Sequence, residues 1–160
     1  MSNLINIQGK NEIIDPNYRY KMTQLNIITE GAFTAITNIP QVSKDIERDP
    51  LMFVEFIKHK LGINLTYKDN KLKYSSKINK NAINDALNEF IDMFVLCSNC
   101  NLPETNMFIK KDKGTIEFDC RACSYNITIN VSKVKVDKHI QKTCQAIVSK
   151  GMRDCVKELV

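Results

Sequence analysis

Apolar residues at helical spacing mark the clearest element of this chain. Ile83, Ala86, Leu87, Phe90, Ile91 and Phe94 recur at i, i+3, i+4, i+7, i+8 and i+11, the stripe of a core-facing helix. Phe53, Val54, Ile57 and Leu61 predict a second helix, with Asp49 as its N-cap, Pro50 in its first turn and Gly62 to end it. A shorter helix is expected around Ile39, Val42 and Ile46. Two hairpins accompany these helices. Leu25, Ile27, Phe33 and Ala35 flank Glu30-Gly31, and Leu65, Tyr67, Leu72 and Tyr74 alternate around Asp69-Asn70.

Beyond Phe94 the period changes. Short strands are expected over 107–111 and 115–119 around Lys113-Gly114, with a third over 125–131. Asp137 then opens a helix that carries Ile140, Cys144, Ile147 and Val148 on one face. Gly151 breaks it, and 152–160 can add a helical turn or two. The leading residues are polar and without sustained period, with a turn at Asp15-Pro16-Asn17 and no core to join. The expected organisation is a flexible tail over 1–22, an α/β domain over 23–94, a ribbon over 95–133 and a helical extension over 134–160. The fold class is α+β: a small α/β domain of two hairpins and about three helices, then a four-cysteine zinc ribbon and a short C-terminal helix.

The ribbon rests on the cysteines. Cys97-Ser98-Asn99-Cys100 and Cys120-Arg121-Ala122-Cys123 are two Cys-x-x-Cys pairs separated by 19 residues, the two-knuckle zinc spacing. Four thiolates fill a tetrahedral sphere and leave no position for water or substrate, so the expected site holds one structural zinc ion. Ribbon knuckles often carry glycine after the second cysteine. Here Asn101 and Ser124 stand there and must adopt the left-handed conformation. A ribbon of about 35 residues buries too little apolar surface to fold alone, and metal binding supplies the deficit.

Composition adds context. The 160 residues are 43% hydrophobic and 26% charged, with no apolar run of membrane-spanning length. The first residues do not resemble a secretory signal, so the six cysteines are expected in a reducing compartment, cytosol or nucleus. Cys144 and Cys155 fit no ligand spacing and read as buried helix-face thiols. His59 reads as a solvated residue between two lysines. The formal charge of +5 becomes about +3 once four thiolates and a divalent ion are counted, a mild bias toward nucleic acid or a ribosomal surface. No nucleophile triad, phosphate-binding glycine loop or HExxH motif is present, so an active site of its own is not expected.

Two sets of cations remain. Arg19 lies between Tyr18 and Tyr20 and reads either as a surface arginine stacked on a tyrosine or as an arginine supplied to a partner's nucleotide site. Lys110, Lys111 and Lys113 cluster on the first ribbon hairpin, and Lys133, Lys135, Lys138 and Lys142 follow. With Lys21, they are candidates for contact with RNA or the ribosome, or are solvated lysines.

Phe94-Val95-Leu96-Cys97, the first knuckle and Pro103-Glu104-Thr105 resemble the "FVLC-xx-C-xx-PET" run of eukaryotic translation initiation factor five. Asp15-Pro16 with Tyr18-Arg19-Tyr20-Lys21-Met22 is similar to that family's "DPxYRYKM" segment. The beta subunit of initiation factor two, including its archaeal form, shares the α/β domain and ribbon but not this segment. The resemblance spans roughly residues 13–150. It implies a cytoplasmic, non-enzymatic factor of the preinitiation complex that stimulates GTP hydrolysis by initiation factor two during start-codon selection. The implied partners are the gamma subunit with its GTP, the small ribosomal subunit, initiator tRNA and mRNA. No membrane is implied, and the chain is expected to be a monomer outside the complex. Arg19 matches the family's activating arginine. Two departures accompany the match. The family's "EGxGNGxKT" segment is cut to Glu30-Gly31-Ala32-Phe33-Thr34 and has lost its lysine, and the C-terminal helical-repeat domain is expected to be absent. Alternatives are a beta-subunit-like component, a non-activating competitor of factor five, and a transcription-type zinc-ribbon protein that binds nucleic acid.

Overall fold

In a computed structural model of the chain, residues 4–75, 78–133 and 137–150 are described. Cys155, Lys135 and the helical turn expected over 152–160 lie outside these residues. Strands β1 (Leu4–Asn6) and β2 (Lys21–Thr23) form an antiparallel pair. The two expected hairpins are β3 (Ile27–Glu30) with β4 (Phe33–Ile36), and β5 (Leu65–Lys68) with β6 (Lys71–Tyr74). Their inner strands pair antiparallel, Ala35 opposite Lys73, which merges them into one sheet of order β3-β4-β6-β5. Asp69 and Asn70 both have positive φ, 53° and 64°, as the tight primed turn between twisted strands demands.

Helices α1 (Ile39–Asp45), α2 (Pro50–Leu61) and α3 (Lys80–Phe94) supply the other layer. The start and stop signals of α2 act as the residues suggest. The Asp49 carboxylate accepts the Leu51 N–H, and Gly62 ends the helix in the left-handed region at φ 59°. The α3 stripe is buried along its whole length, and Phe90 lies 5.6 Å from the rings of both Phe53 and Phe56. His59 of α2 is half-buried rather than solvated, and burial lowers its pKa.

The ribbon is the sheet β7 (Thr105–Lys110), β8 (Thr115–Cys120) and β9 (Asn126–Asn130), followed by a 3-10 turn over Val131–Lys133. Helix α4 (Lys138–Ser149) returns across α2. Asp137 stands at its N-cap without a side-chain capping bond. Met107, Ile116 and Phe118 of the ribbon and Ile140, Cys144 and Ile147 of α4 join the same buried cluster as the α/β residues. The ribbon therefore does not stand alone. It draws core from its neighbours, and each large side chain fully buried there contributes about 1.5–3 kcal/mol.

Residues 4–22, which the pattern left without a core, form a fastened strap. Ile7 and Met22 are buried, and the Ile7 N–H donates to the Tyr20 carbonyl at 3.0 Å. The intervening loop is organised by polar side chains. The Asn6 amide donates to the carbonyls of Ile13 (2.7 Å) and Asp15 (3.0 Å), and Lys21 donates to the Pro16 carbonyl (3.0 Å). Gly9, at φ 66°, lies so close to α3 that a Cβ there would stand 2.7 Å from Asp92 Oδ1. Polar tethers of this kind leave no hydrophobic period to read.

Candidate metal centre and the arginine strap

The sulfurs of Cys97, Cys100, Cys120 and Cys123 all lie within 4.8 Å of one another. Two pairs, Cys97 with Cys123 and Cys100 with Cys120, are 3.6 Å apart. A metal with bonds of about 2.3 Å to four thiolates at tetrahedral corners needs sulfur separations near 3.8 Å, so the quartet fits such an ion with little movement. The two knuckles repeat one local fold. Asn101 N–H donates to the Cys97 carbonyl at 2.8 Å and Ser124 N–H to the Cys120 carbonyl at 3.0 Å. Asn101 and Ser124 are left-handed, at φ 63° and 65°, as required of residues that replace glycine at this turn.

Backbone and side-chain amides donate to the sulfurs. The Asn99 N–H donates to Cys97 Sγ at 3.3 Å, and Ala122 N–H donates to Cys120 Sγ at 3.4 Å. The Asn99 side chain, then the backbone of Tyr125, hold the Cys123 thiol down to about 6. At Cys100 the Leu102 backbone N–H lowers the pKa but is outweighed by burial and the three other cysteines, which push that thiol up to about 12. The quartet thus offers one thiolate, Cys123, at neutral pH to begin capture of a cation. Cys144 is different: it is fully buried on α4, and burial pushes its thiol up to about 12. It is an inert core group.

A residue that pattern reading passed over holds the knuckles against the α/β domain. Arg48 is 1% exposed and donates to the carbonyls of Phe94 (2.9 Å), Glu47 (2.8 Å) and Thr105 (3.2 Å), and to Thr105 Oγ1 (2.6 Å). Thr105 Oγ1 in turn donates to the Val95 carbonyl at 2.6 Å. The guanidinium thus ties the end of α3 to the start of β7. Above it, Arg121 of the second knuckle pairs with Glu47 at 3.3 Å. A charged residue just before Asp49-Pro50 reads as a solvated loop position, and only its partners in space mark it as a clasp.

The strap crosses the ribbon beside these knuckles. Tyr20 Oη donates to Glu104 Oε2 at 2.5 Å, and this bond raises the Tyr20 pKa. Tyr18 lies edge-on to Tyr20 at 5.5 Å, and burial, with the neighbouring Cys100 thiol, raises its pKa also. Arg19 between them is exposed, with its guanidinium carbon 5.1 Å from the Tyr20 ring centroid. Some eighty residues separate Arg19 from the first cysteine in sequence. In space the strap brings them to one end of the molecule.

The candidate lysines divide. Lys21 is engaged by Asn6 and the Pro16 carbonyl within the strap. Lys110, Lys111 and Lys113 are exposed at the β7–β8 turn. Strands of six residues put that turn about 20 Å from the knuckles, so these lysines and Arg19 do not share a site. The β3–β4 hairpin turns in two residues, Gly31 and Ala32, with Glu30 paired to Lys71 (2.8 Å) and Lys73 (3.3 Å) and Phe33 exposed at its tip. Among the described residues no helix is long and apolar enough to cross a membrane.

An α+β body clasped to a four-cysteine ribbon, with a tyrosine-arginine-tyrosine strap laid across the knuckles, defines a class of domain. Residues 10–126 match the family model of the domain found in initiation factors 2B and 5, and the chain belongs to that family. It is similar to eukaryotic translation initiation factor 5 of Dictyostelium discoideum, 30% identical over 149 residues, 91% of this chain and 37% of that protein. It is also similar to the factor 5 of Caenorhabditis elegans (33% over 136 residues, 81% of this chain and 30% of that protein). The probable factor 5 of Schizosaccharomyces pombe is 34% identical over 130 residues, 78% of this chain and 33% of that protein. The chain spans about a third of the length of these relatives.

Proposed function

We propose that this chain is a cytoplasmic translation initiation factor that stimulates GTP hydrolysis by initiation factor two during start-codon selection, and that it has no active site of its own. The observation that carries this reading is the exposed Arg19, held between two anchored tyrosines in a chain of the domain family shared by initiation factors 2B and 5. A planar, permanently charged guanidinium can neutralise charge that develops on phosphoryl oxygens when a partner's nucleotide is cleaved. Leaving the Tyr20 ring costs Arg19 only about 0.5–1 kcal/mol at an exposed site, so the side chain can be handed to the partner. The cysteine quartet holds one structural zinc ion, which supplies a rigid ribbon and no chemistry. The partners are the gamma subunit of initiation factor two with its GTP, and the small ribosomal subunit carrying initiator tRNA and mRNA. Lys110, Lys111 and Lys113, exposed at the β7–β8 turn, are the candidates to meet RNA phosphates on that assembly.

The shortened β3–β4 hairpin favours a second reading. Its tip offers the apolar Phe33 and an internally paired Glu30 and no lysine, so the chain could occupy the family's binding place without activating. The test adds the protein to small subunits loaded with initiation factor two, initiator tRNA and GTP. Acceleration of phosphate release supports the activator. Binding without acceleration, together with inhibition of a full-length factor five, supports the competitor instead.

A further inference from the structure

A side-chain hydrogen bond from Tyr20 Oη to Glu104 Oε2, between residues 84 positions apart, joins the arginine strap to the ribbon. Glu104 is a rigid post. Its carbonyl accepts the Arg121 N–H of the second knuckle at 2.8 Å. The next residue, Thr105, is buried and bonded to both Arg48 and the Val95 carbonyl. On the strap side, the Tyr20 carbonyl accepts from Ile7, and the Tyr20 ring carries the Arg19 guanidinium on its face and Tyr18 at its edge. One ring therefore both fastens the strap and supports the arginine.

We infer that Glu104 is a positioning residue for Arg19: through the Tyr20 hydroxyl it fixes the strap on the ribbon, so that the arginine is presented from a set place. This rests on the proposed activating role of Arg19. A strap released from Glu104 keeps its arginine but must order it anew at each encounter, and small misplacements of a reacting group are costly. The hydrogen bond is charge-assisted, and its loss is expected to reduce stimulated GTP hydrolysis about tenfold. The loss falls on the maximal rate, while the factor concentration for half-maximal stimulation stays the same, because Glu104 touches neither nucleotide nor partner in this account.

The test compares Glu104→Ala, Glu104→Gln and Tyr20→Phe in the full chain, with two readouts. Amide hydrogen exchange of residues 7 and 18–20 reports the strap directly and needs no partner. Glu104→Ala should raise that exchange about tenfold with metal content and thermal midpoint unchanged, and Glu104→Gln, which keeps a carbonyl acceptor, should restore most of the protection. Tyr20→Phe should match Glu104→Ala, and the double variant should add nothing. Should Glu104→Ala fail to fold, Tyr20→Phe and Glu104→Gln carry the same comparison. Unchanged exchange in Tyr20→Phe and Glu104→Ala overturns the inference. Faster exchange with an unaltered maximal rate also overturns it, since the latch would then position nothing. If the wild-type chain stimulates no hydrolysis, the activator reading is lost, and the exchange arm alone decides whether the latch exists.

Discussion

Arg48 brings a permanent charge into the core and directs its donors to backbone carbonyls and one threonine hydroxyl. Truncation to alanine strands the carbonyls of Phe94 and Thr105 without their donor and opens a void beneath Phe118, whose ring the guanidinium faces at 6.0 Å. Arg48→Ala is therefore expected to cost about 3 kcal/mol, read as a lower midpoint in urea unfolding. Arg48→Lys should recover little, because an ammonium cannot span the fork of acceptors. At this scale the sequence was legible where a residue acts through its own backbone. Asp49, Gly62 and Asn101 sit in the conformations their types suggested, and Ser124 in the left-handed one that its place in the knuckle requires although serine tolerates it less well. It was illegible where a side chain acts on residues tens of positions away. Arg48 carries no local mark, and Glu104 is marked only as part of the Pro103-Glu104-Thr105 run, with no sign of its role. Both serve partners that only the fold brings near.

Among the elements, the helices and hairpins were legible because each carries its own period and punctuation. The strap was not, since Asn6, Gly9 and Lys21 hold it by polar contacts and close approach. Helix α4 shows the same limit. Its apolar face was readable, but its clamps were not: His139 meets Glu89 of α3, and Lys150 meets Glu55 of α2 at 2.6 Å. Burial, the largest single effect on Glu89, pushes its pKa up, yet the hydrogen bonds from Lys60 and His139 and their charge leave it below the ordinary carboxylate value. A depressed carboxylate contributes stability that is fully present above its unfolded value, about 4.3, and is lost as pH falls through the lower folded value. Thermal midpoints of the wild type should thus fall on acidification through this range. Glu89→Gln should be less stable at pH 7 and show a shallower acid slope. A parallel slope in the two proteins would assign the acid loss to other carboxylates.

The whole molecule behaves as one cooperative body in this account, because the ribbon, α4 and the α/β layer share a single buried cluster. Removal of the proposed zinc ion should consequently do more than loosen two knuckles. Chelation is expected to release the ribbon strands and expose Met107, Ile116 and Phe118, lowering the thermal midpoint of the entire chain and enhancing binding of a hydrophobic dye. Local loss, with α3 and the four-stranded sheet melting as before, would instead mean two independent modules. In the proposed account the second knuckle fixes Glu104 through the Arg121 N–H, Glu104 holds Tyr20, and Tyr20 supports the exposed Arg19. The measurement that tests this chain of dependence at its end is the single-turnover rate of GTP hydrolysis by initiation factor two on the small subunit, at saturating wild-type protein and at saturating Arg19→Ala. The account predicts stimulation by the wild type, and a loss on the order of a thousandfold in Arg19→Ala with binding to the small subunit retained. An Arg19→Ala protein that stimulates as well as the wild type would contradict it.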